Sequence, residues 1–439
     1  MGIGFVASVY RPLILIYMIA VFLYFTFAII IKKDKQKVVF LACAYFTGAE
    51  VFFRMTKAFI FYETGKYSVI FFAILGMFFL GFKKNAFPYV LYLLLLMPGI
   101  LVSYEAISYD VDFRTAVLFN ISGPICLSIA AVYCYGRTLK LKDFFTVLDY
   151  IVYPLISMTV YIVLYTPDLR DVITSTASNS AVSGGYGPNQ VATVLGLGVF
   201  ILLTRLVIPY KNKLVHLVMM FFLVLMAYRA LLTFSRGGVL VAIIISIVFI
   251  GIFYFSTSLK TKAKVSLKMF GIIGVTLGIW AFTVIQTGGL IGNRYANEDA
   301  LGREKEDVTT GRTELLSTEI DAFKGSPIFG VGVGQVKTYF ETEIGVELPT
   351  HNEISRMLSE HGMFGIFALL VLIFAPIISK MKGRKNIYFY PFLIFWALTI
   401  AHSSMRIAAP AFIYALCLLN IDYGSPKKQI KANKALQNN

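Results

Sequence analysis

The sequence predicts an all-α fold: a polytopic transmembrane helical bundle of about 12–14 spans, with one large extracytoplasmic loop containing short helices. Three observations predict it. Hydrophobic residues make up 58% of the 439-residue chain and charged residues 15%, with a mean hydropathy of +0.74; a soluble globule is nearer ~45–50% apolar. Apolar segments close to the ~20 residues that cross a bilayer as a helix recur along the whole length. Lysine and arginine fall in short runs between alternate segments, as in cytoplasmic loops.

Taken in order, the expected spans are 12–31, 38–53, 67–82, 86–104, 115–135, 143–165, 188–208, 214–233, 238–256, 269–286, 362–379, 387–401 and 407–421. The first lacks the small-residue cleavage site of a signal peptide and is expected to be retained. The weakest are 38–53, which contains Glu50, and the closely spaced last pair. Basic runs at Lys32–Lys37, Lys83–Lys84, Arg137–Lys142, Lys211–Lys213, Lys260–Lys268, Lys380–Lys385 and Lys427–Lys434 all fall on one side of this threading. The positive-inside rule makes that side cytoplasmic, with the N-terminus outside and the C-terminal tail inside. The net charge of +16 is therefore a topology signal and calls for no nucleic acid. Residues 1–424 read as one membrane domain that includes a 287–361 extracytoplasmic loop, and 425–439 as a polar cytoplasmic tail. Cys43, Cys126, Cys134 and Cys417 all lie inside spans and are expected to form neither disulfides nor a metal site. No Asp-rich or His-rich metal constellation lies outside the membrane, so no metal and no cofactor is expected.

The 287–361 loop is the longest connection, and a loop of that length in a tightly threaded chain is usually functional or disordered. Within it Thr313–Phe323 reads as a short amphipathic helix with Leu315, Leu316, Ile320 and Phe323 on one face. The run from Gly325 to Gln335 follows, where spaced glycines, Gly332 and Gly334 among them, can form either an anion-binding nest or a tight structural turn. No Gly-Lys-Ser/Thr follows, which excludes a nucleotide P-loop. Thr350 and Glu353 form a capping box that makes His351 the first helical residue. The positive end of a helix disfavours the imidazolium and leaves a neutral ring available as a base. The alternative is a merely polar helix start at the membrane surface.

Two further outer positions stand out. Ser235-Arg236-Gly237-Gly238 puts a permanent cation at the junction of two apolar helices, where it binds something anionic, pairs with an acidic neighbour or snorkels to headgroups. Glu50 and Arg54, spaced i,i+4, read as a structural salt bridge. Of the other histidines, His216 reads as structural, while His361 and His402 face the outer compartment without a motif.

Four of these motifs, in order over about residues 185–380, resemble the bacterial O-antigen ligase and O-antigen polymerase family. His351-Asn352 with Gly362 and Gly365 is similar to its histidine motif, and Ser235-Arg236-Gly237 to its arginine motif. Gly311-Arg312 followed by Pro327–Gly334 is similar to a segment of its large periplasmic loop, and Gly187-Pro188-Asn189-Gln190 to its Pro-Asn element. The resemblance implies an inverting, metal-independent glycosyltransferase in the bacterial cytoplasmic membrane, with its site facing the periplasm. Its donor would be an undecaprenyl-diphosphate-linked glycan. Its acceptor would be a second lipid-linked repeat in a polymerase, or lipid A-core or a protein in a ligase; a chain-length regulator is a further implied partner. His351 would be the base on the acceptor hydroxyl, and Arg236 and Arg312 would hold the diphosphate leaving group. Asn352 would orient the ring or acceptor, with Asn189, Gly332 and Gly334 in the binding region. Arg356 matches no position of the family's motifs; its spacing alone, one turn beyond Asn352, puts it within reach of phosphate. The competing class is a transporter of lipid-linked sugars, which tends to show internal pseudo-repeats and midplane polar residues; neither is clear here.

Overall fold

The computed structural model describes residues 1–106, 117–305, 312–337, 339–340, 350 and 352–424. Among the described residues its framework is thirteen apolar helices, one for each expected span. Nine are long and apolar enough to cross a membrane and four are shorter apolar helices of 10–17 residues. In chain order they are α2 (Pro12–Ile31), α3 (Lys35–Met55), α4 (Thr64–Leu80), α5 (Phe87–Ala106), α6 (Phe119–Cys134), α7 (Leu141–Tyr165), α9 (Pro188–Val207), α10 (Lys213–Leu232), α11 (Arg236–Phe255), α12 (Leu259–Gln286), α15 (Glu353–Met381), α16 (Phe389–Ser403) and α17 (Ala408–Cys417). Among the described residues four short α-helices accompany them: α1 (Gly2–Val9), α8 (Leu169–Val172), α13 (Leu290–Ala296) and α14 (Arg312–Gly325).

The span with the weakest sequence signal lies at the centre of the molecule. Of the most apolar window of α3, 94% is buried, against 28% for α2 and 6% for α12. Small residues on α3 (Ala42, Cys43, Ala44, Gly48 and Ala49) let α2, α4 and α7 close around it. Helices that face neighbours on all sides need less hydropathy than helices that face lipid, and α3 can therefore carry Glu50 and Arg54 as a buried pair 2.5 Å apart.

Three features depart from the expected map. The N-terminal α1 was not expected; it is a short apolar helix of 8 residues packed on α7. At the basic end of the bundle, β1 (Thr138–Lys140) and β2 (Asn420–Asp422) pair in parallel, joining the connection before α7 to the chain after α17. α12 begins ten residues before the expected span, because Lys262, Lys264 and Lys268 are good helix formers whose stems can run along the apolar surface.

α15 is broken at Gly362, whose φ of 59° and ψ of −138° separate a nine-residue head, 353–361, from the apolar span that follows. A Cβ at Gly362 would lie 2.6 Å from the backbone of Ile328 and Gly330, so the break is also where the loop's glycine run docks. The thirteen helices put the α9, α11, α15 and α17 N-termini at the end of the bundle that carries the large loop.

Candidate functional site

At the start of α11 the chain makes a sharp reversal. Phe234 takes the left-handed conformation, φ 57°, and Ser235 is extended, so the helix begins at Arg236. An N-cap serine ordinarily accepts from the first-turn N–H groups. Ser235 instead donates its hydroxyl to Asn189 Oδ1 at 2.8 Å, joining α11 to the first turn of α9. No side chain among the described residues caps either helix. The Pro-Asn element and the arginine motif, far apart in sequence, are thus in direct contact at two helix N-termini, where backbone donors and the dipole favour anions.

Arg236 reaches into the loop, donating to Asn297 Oδ1 and, at 3.5 Å, to the Arg294 carbonyl. Arg294 returns the contact, its Nε donating to the Phe234 carbonyl at 3.2 Å. Burial pushes the neighbouring Tyr295 phenol up to about 12, while these two guanidiniums oppose the shift. The glycines after Arg236 make room on two sides. A Cβ at Gly237 would lie 2.5 Å from the His402 ring, and one at Gly238 would lie 2.6 Å from the Ala192 backbone in α9. Both glycines are thus points of close approach, one to a histidine and one to a helix.

His402 ends α16 and leads into the corner Ser404–Ile407, which links the arginine motif to the histidine motif. His402 Nδ1 lies 2.8 Å from the Leu398 carbonyl. Arg406 donates to the Thr350 carbonyl, immediately before His351, and Met405 N–H donates to Glu353 Oε2 at 3.2 Å. From the other side, Arg54 donates to the Arg406 carbonyl at 3.0 Å and to the Tyr186 hydroxyl at 3.1 Å. Tyr186 in turn donates to Gln190 in the first turn of α9 at 2.9 Å. The expected Glu50–Arg54 salt bridge is present, and it fastens the α9 head and the 404–408 corner together.

The head of α15 corrects two expectations. The N-cap is Asn352, whose Oδ1 accepts from Ile354 N–H at 2.9 Å, so the helix begins at Glu353 and not at His351. The Thr350–Glu353 capping box does not form because Glu353 turns inward to Arg356 and Met405. Arg356, expected to reach phosphate, is only 4% exposed and sits between Glu353 and Glu360, the latter at 3.0 Å. Breaking such a buried pair from one side costs about 3–5 kcal/mol, so Arg356 holds the helix head together.

The glycine run is a strap against this head, not an open nest. Gly330 N–H donates to Ser326, Val331 to Ser359, Gly332 to Glu360 and Val333 to Gly99, all to carbonyls, and Gly334 N–H donates to Glu360 Oε1 at 2.8 Å. With φ of 76°, 94° and 83°, Gly330, Gly332 and Gly334 take conformations that an L side chain resists. Their donors are consumed by protein acceptors, which favours the turn over the nest. His361 is buried against Gly99, whose missing side chain leaves room for the imidazole.

Helix α14 docks on the same head, rotated from the expected face. Thr318, Glu319 and Ala322 are buried, whereas Leu316 and Ile320 are 37% and 38% exposed. Glu319 is drawn in by the Ser355 hydroxyl, and burial pushes its carboxyl up to about 7 against that hydrogen bond.

Comparison with family models finds a match from residue 221 to residue 370. The matched family is the O-antigen ligase family. The match contains the arginine motif, the loop with its glycine strap and the histidine motif, and it supports the O-antigen ligase/polymerase family that the motifs resemble. A comparison with curated proteins finds no match.

The structure therefore brings Asn189, Arg236 and Asn352 to one end of the bundle, around the 402–407 corner. Arg312 heads α14, and only its backbone is described; His351 lies outside the described residues, as does the 425–439 tail. Sequence reasoning missed Arg406, a single arginine in a short corner with no motif. It also missed Arg229, which stands inside an apolar span.

Proposed function

We propose that the chain is an inverting glycosyltransferase that polymerises undecaprenyl-diphosphate-linked oligosaccharide repeats on the outer leaflet of the bacterial cytoplasmic membrane. The observation that carries the reading is the hydrogen bond from Ser235 to Asn189, which joins the start of α11, with Arg236 and inside the matched family segment, to the first turn of α9. Permanent guanidinium charge at a helix N-terminus suits the diphosphate of a lipid-linked donor.

In this reading the acceptor hydroxyl oxygen attacks the anomeric carbon of the donor sugar and His351 takes its proton. The bond from that carbon to the diphosphate oxygen breaks, and the negative charge that develops on the leaving group is met by Arg236 and Arg312. Such preorganised charge is among the largest contributions an active site makes. Asn352 spends its Oδ1 on the helix cap, so its amide NH2 is the group that orients the ring or the acceptor. The strap and the Arg356 pairs keep the helix head rigid while chemistry takes place beside it.

Incubating the purified protein with a synthetic lipid-linked repeat and resolving the products by size tests the reading. A ladder of glycan lengths is expected. A single unit transferred to added lipid A-core would make the chain a ligase, and movement of labelled lipid-linked sugar across proteoliposomes with no new glycosidic bond would make it a transporter.

A further inference from the structure

Arg406 projects from the corner that joins α16 to α17, and the main chain on both sides of it is tied down. Met405 N–H donates to Glu353 Oε2 at 3.2 Å, the Arg406 carbonyl accepts from Arg54 at 3.0 Å, and Ala408 N–H donates to Glu50 Oε2. A Cβ at Gly123 would lie 2.4 Å from the Met405 carbonyl, so α6 backs directly onto the corner. The carboxylates that accept these amides are buried and paired, Glu50 with Arg54 and Glu353 with Arg356. Charge-assisted hydrogen bonds of this kind are the strong ones.

A second, independent observation is strain. Ser404 has φ 53° and ψ 179°, a conformation that glycine favours, and its buried hydroxyl has no hydrogen-bond partner among the described residues. Both features cost stability, and such strain persists only where the surroundings over-determine it. It sits between His402, which touches the arginine motif at Gly237, and Arg406.

The direction that Arg406 takes gives the strain a use. Among the described residues it forms no ion pair, and its guanidinium donates to the Thr350 carbonyl. Among those residues this is also the one hydrogen bond made to Thr350. The ties of the α15 head begin later: Asn352 caps it, Glu353, Arg356 and Glu360 pair within it, and the strap meets it at Ser359 and Glu360. The Thr350 carbonyl belongs to the rigid peptide plane that ends at the nitrogen of residue 351. Holding its oxygen limits how that plane can turn, and with it the direction in which the next side chain leaves the chain.

We propose that Arg406 is a positioning residue that aims the His351 imidazole by holding the Thr350 carbonyl. The inference rests on the glycosyltransferase reading for what the imidazole does, and on the corner for how it is held. Displacing a reacting group by about 1 Å can cost ~10²-fold in rate. One carbonyl asks for one donor and not for a planar fork, so lysine can replace arginine here.

The test uses the full-length protein in nanodiscs. Arg406→Met keeps an apolar stem and removes the donors. It is expected to cut kcat at least tenfold, to leave donor affinity within about twofold, and to speed hydrogen exchange of peptides spanning 350–353 at least threefold. Arg406→Lys is expected to recover most of the rate and of the protection. In His351→Ala protein, adding Arg406→Met should slow elongation by less than twofold, because it acts through a ring already removed. Should Arg406→Met fail to fold, Arg406→Gln, shorter and uncharged, carries the same measurements. Losses that multiply, donor affinity that falls more than fivefold, lysine no better than methionine, or unchanged exchange would each overturn the proposal. The two readings fail separately. If wild type forms no glycosidic bond, the transferase falls while exchange still decides whether Arg406 holds the segment; if wild type and Arg406→Met polymerise equally fast, the positioning role falls and the transferase stands.

Discussion

Protein carrying His351→Ala is expected to bind lipid-linked donor within about twofold of wild type and to lengthen glycan about 10²–10⁴-fold more slowly, the usual contribution of a positioned general base. The two effects separate because the residues that fix the neighbourhood lie on either side of position 351. Arg406 holds the Thr350 carbonyl, and Asn352 caps a helix that Glu353, Arg356 and Glu360 keep fastened. Removing the ring therefore leaves the helix head in place. Donor affinity from equilibrium binding and elongation rate from size-resolved products, measured on the same preparation, check this. Elongation at the wild-type rate would remove His351 from the reaction.

Replacing Arg236 should have a comparable effect through a different kinetic route. Loss of a preorganised charge that meets a developing anion costs about 10²–10³-fold in kcat. Arg236 also tethers the loop through Asn297, so Arg236→Ala alone would confuse charge with tethering. Arg236→Gln retains a donor for the Asn297 amide oxygen, and Arg236→Lys retains charge but not the planar fork. The expected order of kcat is wild type, then Lys, then Gln and Ala together at the bottom. If Gln matched wild type while Ala failed, the tether and not the charge would be the contribution of Arg236.

The fold was legible because one signal, apolar length punctuated by cations, dominates a membrane chain. It placed all thirteen apolar helices, including α3, where the i,i+4 spacing of Glu50 and Arg54 also announced their ion pair. The site was legible only in part. Asn189, Ser235 and Arg236 stood out because Pro-Asn and Arg-Gly-Gly are conspicuous at helix starts. Their hydrogen bond across the sequence could not be read from either one. Thr350 and Asn352 are equally good caps on paper; a tertiary contact from Glu353 to Met405 decided between them. The face of α14 turned because one buried carboxyl, Glu319, found the Ser355 hydroxyl. The glycine run offered the same pattern whether its donors met an anion or the broken turn of α15. Arg229 was hidden because an apolar window tolerates one arginine, and only its burial and sparse contacts reveal it.

The central claim is that the head of α15 lies on the outer face, beside the donor held at Arg236. Ile354 is 40% exposed in the first turn of that helix, and the four native cysteines are buried. An Ile354→Cys protein in right-side-out vesicles can therefore be probed with a membrane-impermeant thiol reagent, with and without lipid-linked donor. The account predicts labelling from outside that saturating donor slows at least fivefold, with that protection lost when Arg236→Gln is added. Labelling only from the inner side, or labelling of active protein that donor leaves untouched, would contradict it.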